Sequence, residues 1–189
     1  SLAEVTHYGL AVDSTGVAHI VWIEEFSNRY DIRYHSTLDP PSVNTLLASV
    51  PCACRVGDPS VSVNNNVVEV VFRADSGSLY SIRKPPTGSF GSVTRIPTPQ
   101  YDPKRFGNKT GDLRVASAVS LTGTLHVVQP HYDATAGHRL LYLDNASGSF
   151  RSFFITPKTD TSARAFGVAL DPQQQQLGVA WTQHQSATA

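Results

Sequence analysis

One apolar strand signal occurs four times along this chain at near-regular intervals, and it restricts the possible folds more than any other feature. The copies are Val17-Ala18-His19-Ile20-Val21-Trp22-Ile23, Val67-Val68-Glu69-Val70-Val71-Phe72-Arg73, Thr124-Leu125-His126-Val127-Val128-Gln129 and Leu177-Gly178-Val179-Ala180-Trp181-Thr182. Aligned on Trp22, Phe72, Gln129 and Trp181, they lie 50, 57 and 52 residues apart, the differences between successive position numbers. That is the period of a four-stranded propeller blade, a unit that buries its apolar faces only by stacking on its neighbours.

Each copy reads as the second strand of a blade. Around the first, strands are expected at 7–12, 18–24, 31–35 and 43–48; around the second, at 60–63, 67–73, 79–82 and 92–96; around the third, at 114–119, 125–129, 139–143 and 150–155. The fourth copy offers strands only at 165–170 and 177–183. The turns carry their own chemistry: Asp13-Ser14-Thr15-Gly16 and Asn64-Asn65-Asn66 tolerate the left-handed backbone that tight hairpins require. The expectation is an all-β β-propeller, as a single domain or part of one. Its blades lie near 6–50, 58–97 and 112–156, with a half blade near 164–185. A half blade leaves open edges, which a chain extension or partner chain would complete. A β-sandwich is the competing all-β arrangement.

Charge balance excludes several function classes. Fifteen Lys and Arg offset fifteen Asp and Glu, so nothing pulls the whole molecule toward nucleic acid, and no apolar run is long enough for membrane insertion. The chain has no Met, which fits a trimmed precursor or part of a longer polypeptide. Cys52 and Cys54, one residue apart, suit a disulfide, free thiols or a soft metal, and the metal site would need two further ligands. With the sequons at Asn108 and Asn145, the pair favours an extracellular or secretory-pathway glycoprotein.

In a propeller the connections after the second strand and after the fourth gather on one face, where ligands bind. That placement groups Glu24, Glu25, Arg29, Tyr30, Arg73, Asp75, His131, Tyr132 and His184 with Arg105 as candidate ligand-binding residues. Arg forks suit carboxylates and sulfates, and aromatic rings suit sugar faces, so an acidic glycan is the expected ligand class. His19 and His126 are expected to serve packing or inter-blade hydrogen bonding, and Trp22, Phe72 and Trp181 the core between blades.

The stretches 11–22 (AVDSTGVAHIVW) and 31–36 (DIRYHS) resemble the repeats of the sialidase-like β-propeller superfamily, whose Asp-box repeats place Asp, Gly and Trp in sequence. The resemblance runs at repeat level and implies a propeller. Thr94-Arg95-Ile96-Pro97 is similar to the superfamily's arginine motif but lacks its aromatic residue and follows two blades. Propeller polysaccharide lyases, a second comparison, use His or Tyr to remove a proton beside a carboxylate that Arg neutralises. By that analogy His131, Tyr132 and Arg73, or Glu24 in a glycosidase, would be catalytic. No hydrolase elbow, phosphate loop or metal-ligand motif occurs, so no cofactor is expected. The sequence therefore favours a noncatalytic module binding glycans or proteins, with an enzyme acting on acidic glycans as the alternative.

Overall fold

The computed structural model describes residues 4–51, 56–74, 78–99, 114–133, 137–156, 163–171 and 176–183. Among these residues the chain is all-β. Sheet 1 runs β1 (Glu4–Val12), β2 (Ala18–Glu25), β3 (Arg29–Ser36) and β4 (Thr45–Pro51); sheet 2 runs β5 (Ser60–Asn64), β6 (Val67–Ala74), β7 (Ser78–Lys84) and β8 (Thr94–Ile96). Sheet 3 comprises β9 (Ala116–Val119), β10 (Leu125–Asp133), β11 (Gly137–Asp144) and β12 (Arg151–Phe154), and sheet 4 has two strands, β13 (Ala163–Asp171) and β14 (Gln176–Gln183). Every pairing is antiparallel and follows chain order, as it does when each strand is joined to the next by a short turn.

The turns form where the sequence supplies their chemistry. Asn65 and Asn66 both adopt positive φ, 49° and 60°, the left-handed pair that a two-residue hairpin between β5 and β6 needs. Asp13 closes the β1–β2 turn: its Oδ1 accepts the Thr15 N–H at 2.8 Å, the Thr15 hydroxyl at 2.7 Å and the Val17 N–H at 3.0 Å. These bonds, the Thr15 hydroxyl foremost, bring the Asp13 carboxyl down to about 2.

Sheets stack through three apolar layers. Val21, Ile23, Ile32 and Tyr34 of sheet 1 meet Val68, Val70 and Phe72 of sheet 2. The opposite face of sheet 2, through Val71 and Leu79, meets Leu125, Val127, Leu141 and Leu143 of sheet 3, whose own far face packs Val128, Leu140 and Tyr142 on Val168, Leu177 and Val179. Sheet 2 is thus covered on both sides, and β6 is buried along nearly its whole length instead of on alternate residues. The first strands of all four sheets surround one cavity of about 370 Å³, lined toward their trailing ends by Leu10, Ser62, Asn64, Ser117 and Leu170 among others. Hydroxyls bind this centre together, with Ser60 Oγ 2.9 Å from Ser117 Oγ, and the Asn64 amide donates to the Val119 carbonyl at 3.1 Å.

Strand limits differ from expectation in instructive places. The fourth strand of sheet 1 begins at Thr45 because residues before it form a turn, in which Val43 N–H donates to the Pro40 carbonyl. β10 continues through Pro130 to Asp133. Its neighbour β9 begins only at Ala116, opposite Val128, so Pro130 lies where no strand on that side requires its missing N–H. The expected aromatic core row is only partly realised: Phe72 is buried, Trp22 is half-buried on the outer face of sheet 1, and Trp181 is 43% exposed. Trp22 points to a place that no described sheet covers, whereas Trp181 lies on the side of sheet 4 that faces sheet 3, lining a cavity with Tyr142, Phe153 and Ile155.

Gly9 marks a close approach between sheets 1 and 2. A Cβ there would stand 2.7 Å from the Pro59 carbonyl oxygen, a backbone atom with little freedom to retreat. Gly9→Ala is expected to lower the unfolding free energy by about 1–3 kcal/mol, measured by urea denaturation. A change within experimental error would show that the 56–59 segment yields freely.

Candidate functional site

The leading ends of the first strands bring together three residues from three sheets. His7 lies on β1 just past an irregularity between Val5 and His7, a bulge of the kind that re-aims a side chain. Asp58 precedes β5, held in place where Gly57 N–H donates to the Arg73 carbonyl at 3.1 Å, and Arg114 precedes β9. His7 Nδ1 bonds Asp58 Oδ1, and Arg114 Nε donates to Asp58 Oδ2 at 2.7 Å. The side chains of His7 and Asp58 are about a quarter exposed (25% and 24%), so the group is shaped by the protein yet reached by solvent.

The electrostatics follow from this geometry. Burial pushes the Asp58 carboxyl up, but the hydrogen bond from His7 together with the charge and hydrogen bond of Arg114 outweighs it and holds Asp58 below the usual carboxylate range. An ionised Asp58 accepting from Nδ1–H fixes the imidazole tautomer and leaves Nε2 as the basic nitrogen. This is the base-and-orienter arrangement of general base catalysis, with a guanidinium beside it.

The residues singled out in the sequence are distributed differently. Arg73 and His131 are on this same end but buried, 1% and 2% exposed. Arg73 Nη1 donates to the Pro130 carbonyl at 3.4 Å, while the His131 ring packs against Phe154, with the Arg139 guanidinium 4.8 Å from the same ring. Tyr132 lies on β10, opposite His138. Glu24 and Glu25 point to opposite faces of β2, and each is engaged. Glu24 accepts from Trp22 Nε1 at 3.1 Å and Arg33 Nε at 3.0 Å, while Glu25 accepts from the Tyr30 hydroxyl at 3.3 Å.

Arg29 stacks on Phe26 at 4.3 Å and donates to Asp31 at 3.0 Å. Asp31 is almost fully buried; burial raises its carboxyl, but Ser49, Arg29 and Arg33 together bring it below the ordinary range. Asn145 turns its Oδ1 to the Leu125 N–H at 2.8 Å. Asp75, Arg105, His184, Cys52, Cys54 and Asn108 lie outside the described residues.

His19 and His126 serve within their own sheets, each Nδ1 lying 2.6 Å from a tyrosine hydroxyl, Tyr34 and Tyr142 respectively. Burial pushes both tyrosines up to about 12, so they stay protonated partners. The expected bridging between sheets falls instead to Glu69, at the same repeat position. Its partner Arg83 donates to Glu69 at 2.6 Å and to the Gly123 carbonyl of the β9–β10 turn at 2.6 Å. Among the described residues no group of three or more His, Cys, Asp or Glu is placed to hold a metal ion.

Sequence reasoning passed over His7, Asp58 and Arg114. The signal available was positional: each stands at or just before the first strand of its repeat, where the chain reaches the centre of the molecule.

No family model and no curated protein matches the sequence. Among solved structures, the crystal structure of polysaccharide lyase Uly1 is similar in fold, with a TM-score of 0.53 at 8% identity over 98% of this chain. The match takes in 50% of that chain, so this chain spans about half its length.

Proposed function

We propose that these sheets are blades of a β-propeller that acts on acidic polysaccharide, and that the chemistry is centred on His7, Asp58 and Arg114. The observation that carries this reading is the His7–Asp58 pair, a base with its orienting carboxylate at the hub of three sheets. The likeness in fold to a polysaccharide lyase supports the substrate class. In the reaction, Nε2 of His7 takes the proton on the carbon beside a uronate carboxylate. The freed electron pair forms a carbon–carbon double bond, and the glycosidic carbon–oxygen bond breaks as the leaving sugar oxygen takes a proton from water, which reaches the site. Negative charge builds on the carboxylate as the proton leaves, and the Arg114 guanidinium, half exposed, stands ready to offset it. The reading places the protein outside the cell, where such polymers occur.

A noncatalytic glycan-binding role is the second reading, and one observation favours it: Arg114 donates its Nε to Asp58, so less of its charge is left to offset the anion that builds up during elimination. Incubation with a panel of uronate-rich polysaccharides separates the two. Lyase action gives rising ultraviolet absorbance from unsaturated chain ends and falling polymer length. Binding without product would leave only the noncatalytic role, and neither binding nor product would remove both.

A further inference from the structure

We propose that Arg139 is a second anion-binding residue at the leading end of the sheets, where it holds the carboxylate of a uronate further along the polymer than the one at His7. The inference rests on the polysaccharide reading and adds a subsite to it. Most of the described arginines donate their Nε to a carboxylate: Arg29 to Asp31, Arg33 to Glu24, Arg83 to Glu69, Arg114 to Asp58 and Arg151 to Asp144. Arg139 departs from that pattern. Its Nε is buried and has no hydrogen-bond partner among the described residues. Taking a guanidinium N–H out of water without an acceptor costs stability, and a fold keeps such a cost where a ligand supplies the acceptor.

The neighbours of Arg139 fix its place and its charge. It lies on β11 opposite His131 and two residues before Leu141, on the face of sheet 3 that packs against sheet 2. Its guanidinium stands 4.8 Å from the centre of the Phe154 ring, and the buried His131 ring is 5.4 Å from the same ring. A cation seated on an aromatic face keeps its charge and loses little freedom when an anion binds. Glu69 shares this layer between the sheets but lies at its trailing end, where Arg83 takes it at 2.6 Å. The leading end instead carries the buried Arg73 guanidinium and Arg139, which is only partly buried. Spacing then selects the sugar. Arg114 precedes β9, and β9, β10 and β11 are successive neighbours, so Arg139 stands two strand spacings further out, about 10 Å. A disaccharide unit spans that reach. A chain with its reacting uronate at His7 thus presents the acid of the next unit to Arg139, whose fork matches a carboxylate edge.

The experiment is calorimetric titration of the parent, Arg139→Met and Arg139→Lys with uronate oligosaccharides of increasing length, cut from each polymer of the panel. The parent's affinity is expected to step up at the length that reaches Arg139. Arg139→Met loses about tenfold or more at that step and nothing on shorter chains, while Arg139→Lys, which keeps the charge without the fork, falls between. Where product forms, KM carries the loss and kcat does not, because the contact is made equally before and during elimination. The thermal transition of Arg139→Met stays at or above the parent's, since the substitution removes a buried donor that had no acceptor. An Arg139→Met protein that binds long chains as tightly as the parent overturns the subsite and leaves the lyase reading in place. A parent that binds these chains and forms no unsaturated product, yet weakens with Arg139→Met, keeps the subsite and removes the lyase reading. A parent that binds no acidic chain overturns both.

Discussion

His7→Ala is expected to lower the rate of the proposed uronate elimination by about 10²- to 10⁴-fold while leaving the fold in place. The rate loss follows from removing the proton acceptor itself. The fold tolerates the change because Asp58 is not orphaned: Arg114 remains on its Oδ2 at 2.7 Å, so no unpaired buried charge is created. Asp58→Asn should give a smaller loss, since the imidazole survives but is no longer held by an ionised partner in the tautomer that bares Nε2. Because its pKa is depressed, Asp58 stays charged as pH falls through the range where other carboxylates begin to protonate, and it adds nothing to the acid limb of the rate profile until lower pH. Single-turnover rates for parent and both variants, with thermal transitions as a fold control, provide the measurement. A His7→Ala protein retaining most of the rate would move the catalytic base elsewhere.

Strand existence was legible in the sequence because it depends on local pattern. The fourfold Val- and Ile-rich signal, bounded by Asp13, Asn65 and Asn66 turns, became β2, β6, β10 and β14. What covers each strand was less legible, because covering is a tertiary matter. Trp22 and Phe72 occupy equivalent repeat positions, yet Phe72 has sheet 1 against it and Trp22 has no described sheet over its face. The site was the least legible part. Arg73 and His131 have the residue types of a uronate site and the right end of the molecule, but the packing of sheet 2 on sheet 3 takes them inside. His7, Asp58 and Arg114 are 51 and 56 residues apart in the chain, and only the convergence of first strands makes them neighbours.

Arg83→Ala is expected to cost about 2–3 kcal/mol at neutral pH and markedly less near pH 4. Breaking a buried ion pair by removing one partner costs about 3–5 kcal/mol, and the figure is reduced here because the Arg83 side chain is 41% exposed and partly screened. The physical reason lies in the repeat. Sheets 1 and 3 fill this position with a histidine against a tyrosine. Sheet 2 has Glu69, with Ser81 where the others have Tyr, so a carboxylate only 3% exposed depends on Arg83.

Burial, the dominant influence, already raises the Glu69 carboxyl, and Arg83 opposes it through its hydrogen bond and charge. Without Arg83 the folded-state pKa rises further above the unfolded value. Below the unfolded value both states hold the proton and no penalty exists. As pH climbs above the unfolded value both proteins lose stability, but the parent levels off at its lower folded value while the variant goes on falling to its higher one, so the deficit relative to parent opens between the two folded values. Urea melts of parent and variant from pH 4 to 8 trace that curve. A variant deficit that is the same at every pH would mean that Arg83 matters through its bond to Gly123 alone, whereas Arg83→Met with Glu69→Gln should recover most of the loss, since an uncharged pair has no buried ion to satisfy.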